Sequence, residues 1–174
     1  MAKILQKEHP ILRGTAENVP LADIGSKKMM GVISDMQDAM HKEEDAIAIA
    51  APQIGVPLRL FVVSGKMFTE VEEREDGALV RQYDKVFVNP KVKKRSRKQQ
   101  ELEEGCLSVR WKYGFVKRAD KITVEAYDEK GEKFTRGASG LLAQIFQHEI
   151  DHLDGILFID KAHSVRDLPP TEEK

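Results

Sequence analysis

Gln147-His148-Glu149-Ile150-Asp151-His152-Leu153 carries the densest chemistry in this chain, and its spacing sets the reading of everything around it. Apolar residues at three- and four-residue steps predict a helix from about Ser139 to Asp154, with Gly155 placed to cap its C-terminus. On a helix, two histidines four residues apart project from one face, about 6 Å from each other, with a carboxylate beside them. Two neutral imidazoles can clamp a divalent metal, and the glutamate can then move protons for an activated water. Leu141, Ile145, His148 and His152 fall on one stripe, so the imidazoles are expected to continue a core-facing surface. Polar groups there are costly unless something satisfies them, and a metal does. An exposed His-Glu-x-x-His would instead be a chance match on a solvated helix.

Working outward, Lys121 to Tyr127 and Lys133 to Arg136 flank Asp128-Glu129-Lys130-Gly131, which predicts a hairpin. Leu58 to Val63 and Val86-Phe87-Val88 read as buried strands, and Gly65 to Asp84 as a polar surface excursion. Near the start, Met29, Ile33, Met36 and Met40 predict an amphipathic helix over about Leu21 to His41, with Asp23 as its N-cap. The methionine stripe is read as core packing. Strands precede the last helix instead of alternating with helices, so the fold class is α+β.

The 174 residues are expected to form one domain over 1–174, large enough for a core without disulfides. A formal charge of −1 argues against a general polyanion binder. No apolar stretch is long enough to span a bilayer, and Met1 to Pro10 lacks the apolar region of a secretion signal. With Cys106 the one cysteine, no intrachain disulfide can form. These features predict a cytoplasmic protein without membrane partners.

A catalytic metal of this kind takes three protein ligands and keeps one position open. The metzincin spacing would put a third histidine at position 158, which is Phe158. His163, Glu172 and Glu173 are downstream candidates without recognisable spacing, and Cys106 is the upstream one. A lone cysteine is commonly a small buried hydrophobe, but its thiolate is a strong ligand for iron or zinc.

Three separated segments resemble the peptide deformylase family: Ala46-Ile47-Ala48-Ile49-Ala50-Ala51-Pro52-Gln53, Glu104-Gly105-Cys106-Leu107-Ser108, and Gln147 to His152. Pro10-Ile11-Leu12-Arg13, Val88-Asn89-Pro90 and Asp154 to Phe158 are also similar, so the likeness covers about residues 3–162, leaving a short tail at 163–174. Two departures stand out. Ala46 and Ala48 replace motif glycines, which would strain a backbone of positive φ. Arg110 stands where many relatives have proline.

The resemblance implies antiparallel sheets packed around a metal-binding C-terminal helix, with a further helix near the N-terminus. It implies hydrolysis of the formyl group from N-formylmethionyl nascent peptides, releasing formate. Cys106, His148 and His152 would hold one divalent ion; ferrous iron is expected, and zinc, nickel or cobalt suit the same ligands. Glu149 would shuttle the proton, while Gln53 and the Leu107 N–H would stabilise the oxyanion. Ile47, Ala48 and Ile145 would contact substrate. A transient ribosome encounter follows from the substrate, but a long C-terminal docking helix is not expected.

Three rival readings are a general zinc peptidase, a cysteine hydrolase with Cys106 as nucleophile, and an RNA-binding module. The last would use Lys91, Lys93, Lys94, Arg95, Arg97 and Lys98 with Trp111 and Tyr113. Because Glu101, Glu103 and Glu104 follow at once, the basic run is read as a solvated edge strand and no specific nucleic acid is expected.

Overall fold

A computed structural model describes residues 2–68 and 83–169. Five antiparallel strands form the main sheet in the order β1-β2-β3-β6-β7, from β1 (Ala48–Ala50), β2 (Leu60–Val63), β3 (Lys85–Arg95), β6 (Lys121–Tyr127) and β7 (Lys133–Ser139). A second sheet runs β4-β5-β8, from β4 (Gln99–Glu104), β5 (Lys112–Ala119) and β8 (His163–Asp167). Among the described residues the two α-helices are α1 (Lys27–His41) and α2 (Gly140–Leu153). The architecture is α+β, as expected.

Residue alternation along the main sheet builds two cores. Leu60, Val62, Val86 and Val88 face α1, meeting Met29, Ile33, Met36 and Met40. Phe61, Val63 and Phe87 point the other way, toward Phe146, Ile150 and Leu153 of α2. There Phe61 stacks on Phe87 with ring centroids 4.6 Å apart, and Phe146 meets the Phe87 ring edge-on at 4.8 Å. A third cluster of Leu12, Val109, Val116, Leu157 and Phe158 fills the region beside the second sheet. The function-bearing helix is thus gripped along its length.

Several local expectations change. The first helix begins later than Leu21, because Gly25 turns the chain at φ +82° and Ser26, not Asp23, accepts from the Met29 N–H as the cap. Leu21–Asp23 forms a separate 3-10 turn. Gly65–Met67 is a further 3-10 turn with Gly65 and Phe68 buried and the Asp84 side chain only 8% exposed, while 69–82 of the expected excursion lie outside the described residues. β3 is interior to its sheet, not an edge; its pairing with β2 stops at Val88, and the basic half beyond pairs with β6. His163–Asp167, read as tail, pairs with β5. Among the described residues, no helix is long and apolar enough to cross a membrane.

Candidate metal centre

Gly155 ends α2 in the left-handed region (φ +74°), and a Cβ there would lie 2.7 Å from the Arg13 carbonyl oxygen, so only glycine fits this turn. From the other side, Gln147 locks the helix in rotation. Its Oε1 accepts from the Ala119 N–H at 2.9 Å and its Nε2 donates to the Ala119 carbonyl at 3.0 Å. With α2 so fixed, His148 and His152 present their rings to one side, centroids 4.9 Å apart.

Opposite them, the turn after β4 delivers Cys106. Its Sγ lies 3.1 Å from His152 Nε2, and one ligand atom from each of Cys106, His148 and His152 falls within 4.8 Å of the others. His163 sits apart from this group, with Nδ1 3.0 Å from the Phe115 carbonyl oxygen. Glu172 and Glu173 lie outside the described residues. Cys106 is therefore the third donor that the fold brings to the paired histidines. Two imidazoles and a thiolate form a donor set suited to iron or zinc.

The stripe of α2 faces inward as periodicity suggested at Ile145 and His152, which are buried, and departs from it at Leu141. Ala143, Phe146, Ile150 and Leu153 enter the core, whereas Leu141 is 52% exposed and lines a groove of about 310 Å³ together with Ile145 and His148. His148 reaches this groove, whereas His152 is buried behind it. Ile47, Ala48, Gln53, Leu107 and Glu149 line the same groove. Ala48 lies in β1 with extended backbone, and the described non-glycine residues of positive φ are Asn89 and Ser164. Neither Ala46 nor Ala48 needs the glycine conformation.

Gln53 is 2% exposed on the 3-10 turn Ala51–Ile54. Its Oε1 accepts from the Ala50 N–H at 2.8 Å, which aims its Nε2 at Ser108 Oγ (3.2 Å) and toward Cys106 Sγ (3.6 Å). The Ser108 N–H also points at the sulfur, at 3.4 Å.

A buried ionic chain stands behind the histidines, and sequence reasoning missed most of it. Arg118, 3% exposed, donates twice to Glu104 (2.7 and 2.8 Å) and once to Asp151 (2.6 Å). Glu104 Oε2 lies 2.9 Å from His148 Nδ1, and Lys161 Nζ donates to Asp151 at 2.7 Å. Burial works against the charged form of Glu104, but Arg118 and His148 outweigh it and hold the carboxyl at about 2. An ionised carboxylate only accepts, so His148 Nδ1 carries the proton and its Nε2 is left as the ligand atom. Asp151 is buried against Arg118 and Lys161. A signal did exist: strand alternation puts Arg118 on the same face as buried Val116.

Burial also pushes the Glu149 carboxyl up to about 7, with His148 opposing and Glu104 adding. Burial disfavours the charged form of both imidazoles. For His148 the neighbouring Cys106 and Glu104 more than compensate, raising it well above the ordinary value, whereas His152 is driven well below it. The surplus negative charge that attracts a proton to His148 also suits a cation. Among the described residues, Glu149 Oε2 and His152 Nδ1 are the buried side-chain polar atoms without a partner. An orphaned carboxylate oxygen beside a Cys-His-His donor set fits a metal with its water.

Such a site on this fold defines a class: a hydrolase working with a single metal ion. The profile of the family Polypeptide deformylase matches residues 1–167. Peptide deformylase 2 of Clostridium acetobutylicum is 41% identical over 160 residues, covering 92% of this chain and 94% of its own. The crystal structure of a peptide deformylase from Legionella pneumophila aligns with a TM-score of 0.79 at 37% identity, over 94% of this chain and 87% of that one. A class I type b peptide deformylase from Acinetobacter baumannii gives 0.79 at 29% identity, over 92% and 98%. The chain belongs to the polypeptide deformylase family. It is a metal-dependent hydrolase that removes N-formyl groups from nascent peptides.

Proposed function

We propose that Cys106 Sγ, His148 Nε2 and His152 Nε2 hold one ferrous ion, and that Glu149, Gln53 and Leu107 carry out the proton and oxyanion work on formyl-methionyl chains. Zinc, nickel or cobalt suits the same ligands. When bound, the cation supplies Lewis acidity, making water nucleophilic near neutral pH and polarising the formyl carbonyl. Glu149 accepts the water proton and passes it to the departing amine nitrogen, so that water and the formyl amide become formate and a free N-terminus. Its high pKa suits both halves of that transfer. The Gln53 amide and the Leu107 N–H donate to the formyl oxygen as it gains charge, each worth about 3 kcal/mol of barrier. Ile47 and Ile145 offer apolar surface to the methionine side chain, and the Ala48 backbone pairs with the peptide.

The observation that carries this reading is Glu149 Oε2, buried and unpartnered beside three clustered ligand atoms. A thiol ligand suits a reducing compartment, so the enzyme is assigned to the cytoplasm. There it meets the ribosome transiently through its substrate. The test is formate release by anaerobically purified protein from formyl-Met-Ala-Ser, with Met-Ala-Ser as the control. Formate release that chelation abolishes and ferrous iron restores is expected. Peptide-bond cleavage in both peptides would indicate a peptidase, and activity surviving chelation a cysteine hydrolase.

A further inference from the structure

Arg110 stands four residues after Cys106, and the fold gives it an unusual set of partners. Its Nη1 donates to Asp45 Oδ2 at 2.7 Å, and its Nη2 to Glu43 Oε2 at 2.7 Å and to Asp45 Oδ1 at 3.2 Å. Its guanidinium lies over the Trp111 ring, 4.6 Å from the centroid. Arg110 belongs to the loop that carries Cys106 and Leu107, whereas Glu43 and Asp45 belong to the connection from α1 to β1 that leads into Ala46-Ile47-Ala48. Those two segments form facing walls of one groove, and Asp45, Arg110 and Trp111 all line it. The guanidinium spends its terminal donors and one face on these neighbours, so it is poorly placed to read a substrate charge. It acts as a rivet between the walls.

The geometry points to Arg110 as a positioning residue for substrate specificity: tied to Glu43 and Asp45, it holds the Trp111 indole at the groove's rim as a contact for peptide residues downstream of the formyl-methionine. This rests on the deformylase reading of the site. Gln53 and Glu149 are buried in the groove, whereas Trp111 is 39% exposed, so a peptide reacting at depth brings its later residues past the indole. The ion pairs are bidentate but partly open to water, with side-chain exposures of 18% for Arg110, 41% for Glu43 and 56% for Asp45. Salt therefore weakens the rivet.

The experiment compares kcat/KM for formyl-Met-Ala-Phe with that for formyl-Met-Ala within each enzyme. Arg110→Gln and Trp111→Ala should each lower this ratio about five- to tenfold, the change residing in KM for the longer peptide. Arg110→Glu alone should lower it too, and Arg110→Glu with Asp45→Arg should bring it back to within about twofold of wild type. Raising NaCl to about 1 M should lower the wild-type ratio but not that of Arg110→Gln. An unchanged ratio in Arg110→Gln, equal losses on both peptides, or failure of the charge swap to restore it would overturn the assignment. A wild-type protein that releases formate from neither peptide would instead reject the underlying function.

Discussion

Replacing Arg118 by leucine removes the cation that joins Glu104 to Asp151. Its three short hydrogen bonds disappear, leaving Glu104 with His148 and a long contact from Gln144, and Asp151 with Lys161 at the chain's more open end. Breaking a buried ion pair from one side costs about 3–5 kcal/mol. The carboxyl is consistent with this: at about 1.4 kcal/mol per pH unit, lowering Glu104 from its ordinary 4.5 to about 2 corresponds to about 3.5 kcal/mol, shared between Arg118 and His148. For a chain of this size the loss lowers Tm by about 6–20 °C. Because the folded-state pKa is depressed, the stabilisation is complete above pH 4.5 and fades as pH falls through about 2. Urea unfolding of wild type and Arg118→Leu across that window should therefore show the gap between them narrowing as pH falls. Pairing Arg118→Leu with Glu104→Gln should cost less than the sum of the single changes. A Tm within about 2 °C of wild type at pH 7, or a gap indifferent to pH, would refute the reasoning.

Other outcomes follow from the site. Glu149→Ala should retain its metal after dialysis while turnover falls about 10²–10⁴-fold; turnover like wild type in metal-loaded protein would reject the proton-carrier role. Cys106→Ala should lose metal on dialysis that wild type keeps, read by elemental analysis. Since burial raises Glu149 to about 7 and a bound cation lowers it, the acid limb of kcat/KM should fall at or below pH 7. A limb well above pH 7 would assign it to another group.

Periodicity located α2 because Gly155 and the apolar steps mark its end and faces in the sequence itself. It did not say what each face meets: Leu141 and His148 line a groove, Ile145 serves both groove and core, and Phe146 and Ile150 take the core. A single helix's pattern separates polar from apolar but cannot distinguish a pocket wall from packing. Cys106 reached the metal group through its motif, since nothing local to a lone cysteine places it beside residues more than forty positions away. Arg118 was hidden for the opposite reason. Arginine is ordinarily exposed, and burial became affordable only where Glu104 and Asp151 converge from β4 and α2. β8 lacked a hydrophobic pattern because all five of its residues are exposed, and backbone pairing with β5 defines it. The Arg110 rivet required knowing that two segments far apart in sequence face each other across one groove.

The most direct measurement is X-ray absorption at the metal edge of zinc-loaded protein. One sulfur at about 2.3 Å with two imidazole nitrogens at about 2.0–2.1 Å is the expected ligand shell. A shell without sulfur, or one unaltered in Cys106→Ala, would contradict the proposed centre.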